Sequence, residues 1–162
     1  MGYDGLKRLV FRALQADSSG YLRCRIIDLL FSLLIDDQYL RKDGQYMIQS
    51  PDVLPFLFQL CDHFEDNLKH DLMDTFIPFV ENNTLNRSLC CQQGVVYLLL
   101  EIISKNKDNL PYVAKVINVL EILGTHSITV PELKLLFFLL QEDVNGLRPR
   151  MQILLLCALE YM

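Results

Sequence analysis

Apolar residues recur along this chain at three- and four-residue intervals almost from end to end. Leu6, Leu9, Val10, Ala13 and Leu14 set the pattern, which is the spacing of one helix face and not the alternation of a strand. The run "DSSG" at 17–20 interrupts it. A second helix is predicted over about residues 21–35, with Ile26, Leu29, Leu30, Leu33 and Leu34 turned inwards. "DDQYLRKDGQYMIQ" at 36–49 is more polar and predicts a short helix or an ordered loop.

Further along, punctuation residues mark where helices begin and end. In "SPDVLPFLFQLCDHF" (50–64), Ser50 or Asp52 can cap and Pro51 suits a first turn. Pro55 must also lie in the first turn or so, since deeper in a helix it would remove a backbone hydrogen bond. "NLKHDLMDTFIPFVEN" places Leu68, Leu72 and Phe76 four apart, and Pro78 predicts a kink or an early end. Gly94 reads as the turn between two helices in "NRSLCCQQGVVYLLLEIISKN". Asp108 or Asn109 can cap the next helix, and Gly124 stops it. Thr129-Val130-Pro131-Glu132 has the spacing of a capping box in which each side chain satisfies the other residue's amide. A final helix starts near Leu147-Arg148-Pro149 and carries "MQILLLCALEYM".

The sum is about eight helices, short connections and no convincing strand. Several helices, above all residues 133–140, are apolar over more than half their circumference and so need cover on two or three sides. Stacked helical hairpins give that cover, and the pairs recur at roughly 40 residues, the period of armadillo and HEAT repeats. The expected fold is therefore all-α, an armadillo/HEAT-like α-solenoid forming one domain over residues 1–162. An irregular all-α globule is the alternative.

Composition narrows the function classes. With 162 residues the chain can bury a sizeable core, and 51% hydrophobic against 22% charged residues excludes disorder. A net charge of −5 with scattered basic residues argues against a nucleic-acid binder. The longest uncharged run, 88–100, falls short of the roughly 20 residues a membrane span needs. The N-terminus lacks the features of a signal peptide. Leu6 stands where N-myristoylation wants Ser or Thr, so Met1-Gly2 reads as a cloning remnant. Five cysteines (24, 61, 90, 91 and 157) fall mostly inside apolar helical patterns, as expected of reduced, buried thiols in a cytosolic protein. Two N-glycosylation patterns, at Asn82 and Asn86, would matter only in a secreted protein.

Candidate chemistry is sparse. His63, His70 and His126 are the histidines, and Cys61-x-His63 could offer two metal ligands, but no second pair stands at a ligand spacing. Cys90-Cys91 would diverge by about 100 degrees on a helix. Asp36-Asp37 and Glu65-Asp66 read as solvated helix ends and not as acid–base pairs. Phosphate-loop, zinc-protease and nucleophile-elbow motifs do not occur. The residues themselves thus nominate no catalytic, cofactor-binding or metal site, and no cofactor is expected.

"INVLEILGTHSITVPELKLLFFLLQ" (117–141), followed by Leu147-Arg148-Pro149-Arg150 and "ILLLCALEYM", closely resembles the N-terminal region of BEACH-domain proteins of the neurobeachin type. The resemblance is strongest over 116–162 and extends more weakly back to about residue 20. In that family a similar segment closes an armadillo-like helical region. The resemblance implies a piece of a very large, non-enzymatic cytosolic scaffold in vesicle trafficking, membrane dynamics or selective autophagy. Peripheral contact with vesicles or endomembranes would then run through other parts of the parent protein. It implies other proteins and flanking modules of the parent chain as partners, without nucleic acid or direct membrane insertion. Self-association through the C-terminal helix is a further expectation. Competing readings are a purely structural helical spacer, an armadillo adaptor unrelated to BEACH proteins, and an unrecognised enzyme.

Overall fold

The computed structural model describes residues 4–16, 21–35, 46–141 and 149–161. Nine α-helices account for most of them: α1 (Asp4–Ala16), α2 (Tyr21–Leu34), α3 (Val53–Leu60), α4 (Asp66–Glu81), α5 (Thr84–Gln92), α6 (Val95–Lys105), α7 (Leu110–Gly124), α8 (Val130–Gln141) and α9 (Pro149–Tyr161). Among the described residues the only β-type pairing is an isolated bridge between Ile35 and Ile48. About eight helices were expected, and nine stand among the described residues. Residues 36–45, most of the polar stretch read as a short helix or an ordered loop, lie outside the described residues, and residues 46–50 are not helical.

Local chemistry explains most boundaries. Asn83 caps α5 by accepting from the amides of Leu85 and Asn86, both at 3.1 Å. Gly94 separates α5 from α6 at φ 71°, a left-handed conformation that a side chain would strain. Asn109 caps α7 through the Tyr112 amide, with Pro111 in the first turn. Pro55 falls in the first turn of α3, where its missing N–H is harmless. Pro78 is accommodated inside α4, exposed and in the last turn, so the helix ends at Glu81. Gly124 closes α7 without a left-handed turn, because Thr125 continues in right-handed geometry. Glu65 and Asp66 open α4 and do not end a helix; Asp66 also pairs with Lys69 at 3.6 Å. Acidic groups there suit the positive end of the helix dipole.

The packing runs in two rows. α3 lies on α6 and α6 on α8; α4 lies on α7 and α7 on α9. α6 and α7 also pack on each other, α5 bridges α4, α6 and α7, and α1 and α2 stack at the α3 side. Layer follows layer at the roughly 40-residue interval read from the sequence. The side-chain bonds between layers keep the same interval. Lys105 reaches Asp62 at 2.7 Å, Lys115 reaches Asp74 at 2.5 Å and Lys69 donates to Asn106 at 3.2 Å, joining residues 43, 41 and 37 apart.

One continuous core threads the layers. Leu57, Phe58, Phe76, Leu99, Leu100, Val116 and Leu120 are buried, and Phe58 meets Phe76 edge to face at 5.0 Å. Burying each such side chain contributes about 1.5–3 kcal/mol before entropy is subtracted. At the outer layers the expectation of inward-facing residues partly fails. On α2, Ile26, Leu30 and Leu34 are buried, but Leu29 and Leu33 are exposed, because α1, α3 and α4 leave that part of its surface uncovered. α8 repeats the effect: Leu136 is buried, whereas Phe137 is 50% exposed.

Candidate functional site

Three places bring polar or reactive groups together. The first is a cleft of about 430 Å³ lined by Ser88, Cys91 and Gln92 of α5, by His126, Ser127 and Thr129 between α7 and α8, and by Glu132 of α8. A thiol, an imidazole and a carboxylate thus border one space that no spacing in the sequence had singled out. The thiol and the carboxylate, however, have structural bonds. The Cys91 thiol donates to the carbonyls of Leu123 at 3.7 Å and Ser127 at 3.6 Å. Burial, and next the neighbouring Glu132 charge, push its pKa up, the opposite of what activates a thiolate.

Glu132 is buried, and its Oε2 accepts from both the Thr129 amide and the Thr129 hydroxyl at 2.7 Å. The expected reciprocal capping box is therefore half made. The carboxylate caps the Thr129 N–H as foreseen, but the threonine hydroxyl turns to that carboxylate instead of to a helix amide. A charge-assisted O–H···O⁻ bond is stronger than a neutral bond to an amide, which accounts for the choice.

The second place is a buried amide network around Asn86. Its Oδ1 accepts from the Ile48 amide at 3.0 Å, and its Nδ2 donates to the carbonyls of Tyr46 and Phe79, each at 2.8 Å. Asn83 adds a bond to the Tyr46 carbonyl at 3.3 Å. Arg87 donates to the Val80 carbonyl at 2.7 Å and to the Glu81 carbonyl. Together they fasten the segment entering α3 onto the α4–α5 corner. This also settles one glycosylation pattern: Asn86 is fully buried and both its N–H bonds are taken, while Asn82 is exposed. Sequence reading missed the network because an interior asparagine and an acceptor asparagine look alike.

The third place surrounds Cys61. Its thiol is buried and lies near the Leu57 carbonyl at 3.8 Å, and burial pushes its pKa up to about 12. His63, two residues on, is exposed and packs edge-on against Phe11 at 4.8 Å. The pair considered as metal ligands therefore points to different surroundings, and among the described residues no group of three ligand-type side chains forms. Tyr112 enters from α7, its ring beside His70 at 5.7 Å and under the Lys69 ammonium at 5.9 Å. Its buried hydroxyl faces the Cys61 thiol without a properly directed hydrogen bond.

The remaining cysteines divide by position. Cys90 is fully buried, with its pKa pushed up to about 12 by burial, while its neighbour Cys91 faces the cleft. Cys24 and Cys157 are exposed, contrary to the expectation of buried thiols, because α2 and α9 lie in outer layers. Asp36 and Asp37 lie outside the described residues.

The larger exposed feature is apolar. Leu9, Tyr21, Leu29 and Leu33 stand out on α1 and α2; Val130, Phe137, Phe138, Ile153, Leu156 and Tyr161 stand out on α8 and α9. Between them Tyr46, Leu85 and Tyr97 are the described large apolar residues that are exposed. No helix among the described residues is long and apolar enough to cross a membrane.

A molecule built of stacked helical pairs, with its polar side chains spent on caps and interlayer bonds, has the organisation of a solenoid. Comparison with known proteins agrees. A family model described as the neurobeachin alpha solenoid region matches residues 1–162. The BEACH domain-containing protein B of Arabidopsis thaliana is 26% identical over 135 residues, which are 83% of this chain and 5% of that protein. The chain thus spans about a twentieth of the length of that relative. No solved structure matches. The chain belongs to the neurobeachin family and is part of its alpha-solenoid region.

Proposed function

We propose that this stretch is a non-catalytic scaffold module of a large BEACH-type protein and presents an extended lateral surface to other proteins in vesicle trafficking, membrane dynamics or selective autophagy. We take residues 1–162 as one helical-repeat domain within a longer cytoplasmic protein, with any membrane association supplied by other parts of that protein. The observation that carries the reading is the two-row stack itself. One core runs through every layer, so the lateral surface is held rigid over its whole length. Its polar groups serve that stack: Glu132 holds a cap, Asn86 holds a corner, and Lys105 and Lys115 join layers. Family membership replaces the reading of an adaptor unrelated to BEACH proteins.

A structural spacer is the competing reading, and lateral surface changes separate the two. Tyr97→Asp with Glu101→Lys alters an exposed and a half-exposed position on α6 without touching the core. Placed in the full-length protein, this pair should remove particular bound proteins and slow cargo delivery, with the thermal transition unchanged. Normal delivery with that pair, together with failure on deletion of one helical layer, would make the stretch a spacer.

A further inference from the structure

The cleft between α5 and α8 holds a charge that the helix cap does not fully engage. Glu132 is only 6% exposed, and its Oε2 takes both bonds from Thr129. Its Oε1 accepts no hydrogen bond from any described residue, and the carboxylate lines the open cleft. No lysine or arginine among the described residues lines that space. A buried carboxylate without a cation is costly, so the arrangement favours a positively charged guest. The neighbouring helix ends act in the same direction. The last turn of α5, with Ser88, Cys91 and Gln92, borders the cleft, and so do His126 and Ser127 just after α7. Both helices therefore present the negative end of their dipole there. The N-terminus of α8 opposes them, and Glu132 in its first turn offsets it.

We propose that this cleft holds the guanidinium of an arginine from a partner protein. A guanidinium carries N–H donors in one plane and no acceptor. Around Glu132 the cleft offers the matching acceptors: the hydroxyls of Ser88 and Ser127 and the side-chain carbonyl of Gln92. A volume of about 430 Å³ takes in the whole side chain and some of the flanking backbone. A lysine ammonium is compact and strongly hydrated, and it spans fewer of these acceptors. A metal ion suits the place less well, because Cys91, His126 and Glu132 border the space without forming a three-ligand group. The assignment rests on the reading of this stretch as an interaction module and names one of its contacts. Tyr97 and Glu101 lie outside the cleft, so the two readings fail separately.

The probe is a short glycine peptide with a central arginine, blocked at both ends and titrated into the isotope-labelled 162-residue chain. Nuclear magnetic resonance should show saturable shifts in the amides of Cys91, Ser127 and Thr129, which border the cleft. The same peptide with citrulline keeps the shape and drops the charge. It should bind at least about tenfold more weakly, the size of one charge-assisted hydrogen bond. Glu132→Gln should weaken the arginine peptide by a similar factor. Glutamine at this position of a capping box still accepts from the Thr129 amide, so the thermal transition should hold. Gln92→Lys is the second variant, because it sets an ammonium at the exposed rim without touching the cap. It should weaken the arginine peptide by about threefold or more through like-charge repulsion. An absence of saturable shifts at the cleft would overturn the proposal. So would equal affinity for the citrulline peptide, tighter binding of a lysine peptide, or unchanged affinity in both folded variants.

Discussion

Replacing Asn86 tests how the corner of the solenoid is held. The side chain is fully buried and makes one bond as acceptor, to Ile48, and two as donor, to Tyr46 and Phe79. Asn86→Ala removes all three. The Tyr46 carbonyl keeps its bond from Asn83, so its loss is near the ordinary net value of about 1 kcal/mol. The Ile48 amide belongs to a buried residue, and leaving such a donor without a partner costs about 1–3 kcal/mol. With about 1 kcal/mol for the Phe79 bond included, the expected loss is about 3–5 kcal/mol, a large share of a typical stability of about 5–15 kcal/mol. Urea unfolding followed by far-UV circular dichroism measures it, provided the slope stays that of the wild type. Asn86→Asp sharpens the reasoning. It retains the acceptor for Ile48 but sets a carboxylate against two carbonyl oxygens, so at neutral pH it should destabilise at least as much as Asn86→Ala. A loss below about 1 kcal/mol for Asn86→Ala, or a milder loss for Asn86→Asp, would refute the network as the fastening of this corner.

Other changes test neighbouring parts of the structure. Leu136→Ala should cost about 2–5 kcal/mol, whereas Phe137→Ala in the 162-residue chain should stay within about 0.5 kcal/mol; equal losses would contradict their different burial. Tyr112→Phe removes a buried hydroxyl that has no well-directed partner, so the unfolding free energy should stay or rise by up to about 1 kcal/mol, and a clear loss would show that the hydroxyl is bonded. Glu132→Ala should cost about 1–2 kcal/mol and more than Thr129→Ala, since the carboxylate receives both bonds; the reverse order would restore the reciprocal box. Burial raises the folded-state pKa of Cys61 and Cys90 to about 12, above the unfolded value of about 8.5. Their contribution is therefore complete below the unfolded value and is lost as pH climbs towards about 12, so Tm should fall through that window, and less steeply in Cys90→Ala.

Much of this molecule is determined by short-range rules. The period of Leu68, Leu72 and Phe76 requires a helix, and Pro55 fixes how near a helix start must be. Gly94 must turn, because its left-handed φ is cheap only for glycine, and Asn109 caps because its side chain reaches the Tyr112 amide locally. The apolar surface of α8 was enough to imply stacking but not how many sides are covered, since Leu136 and Leu139 are buried while Phe137 and Phe138 are exposed. Family likeness was likewise carried by local strings, above all "SITVPELKLLF".

Only the tertiary structure decided which residues those layers cover. Leu29 and Leu33 carry the same apolar signal as Leu30 and Leu34, yet they are exposed, because periodicity fixes a face without saying what lies against it. Cys61 and His63 are two apart in sequence but diverge, since the 3-10 turn after α3 sends one into the core and the other towards Phe11. Conversely, Cys91, His126 and Glu132 meet in one cleft across up to 41 positions of sequence. Asn86 and Ile48 are bonded across 38. Such contacts depend on where whole helices dock, and docking is set by the summed burial of many side chains, so no local spacing encodes it.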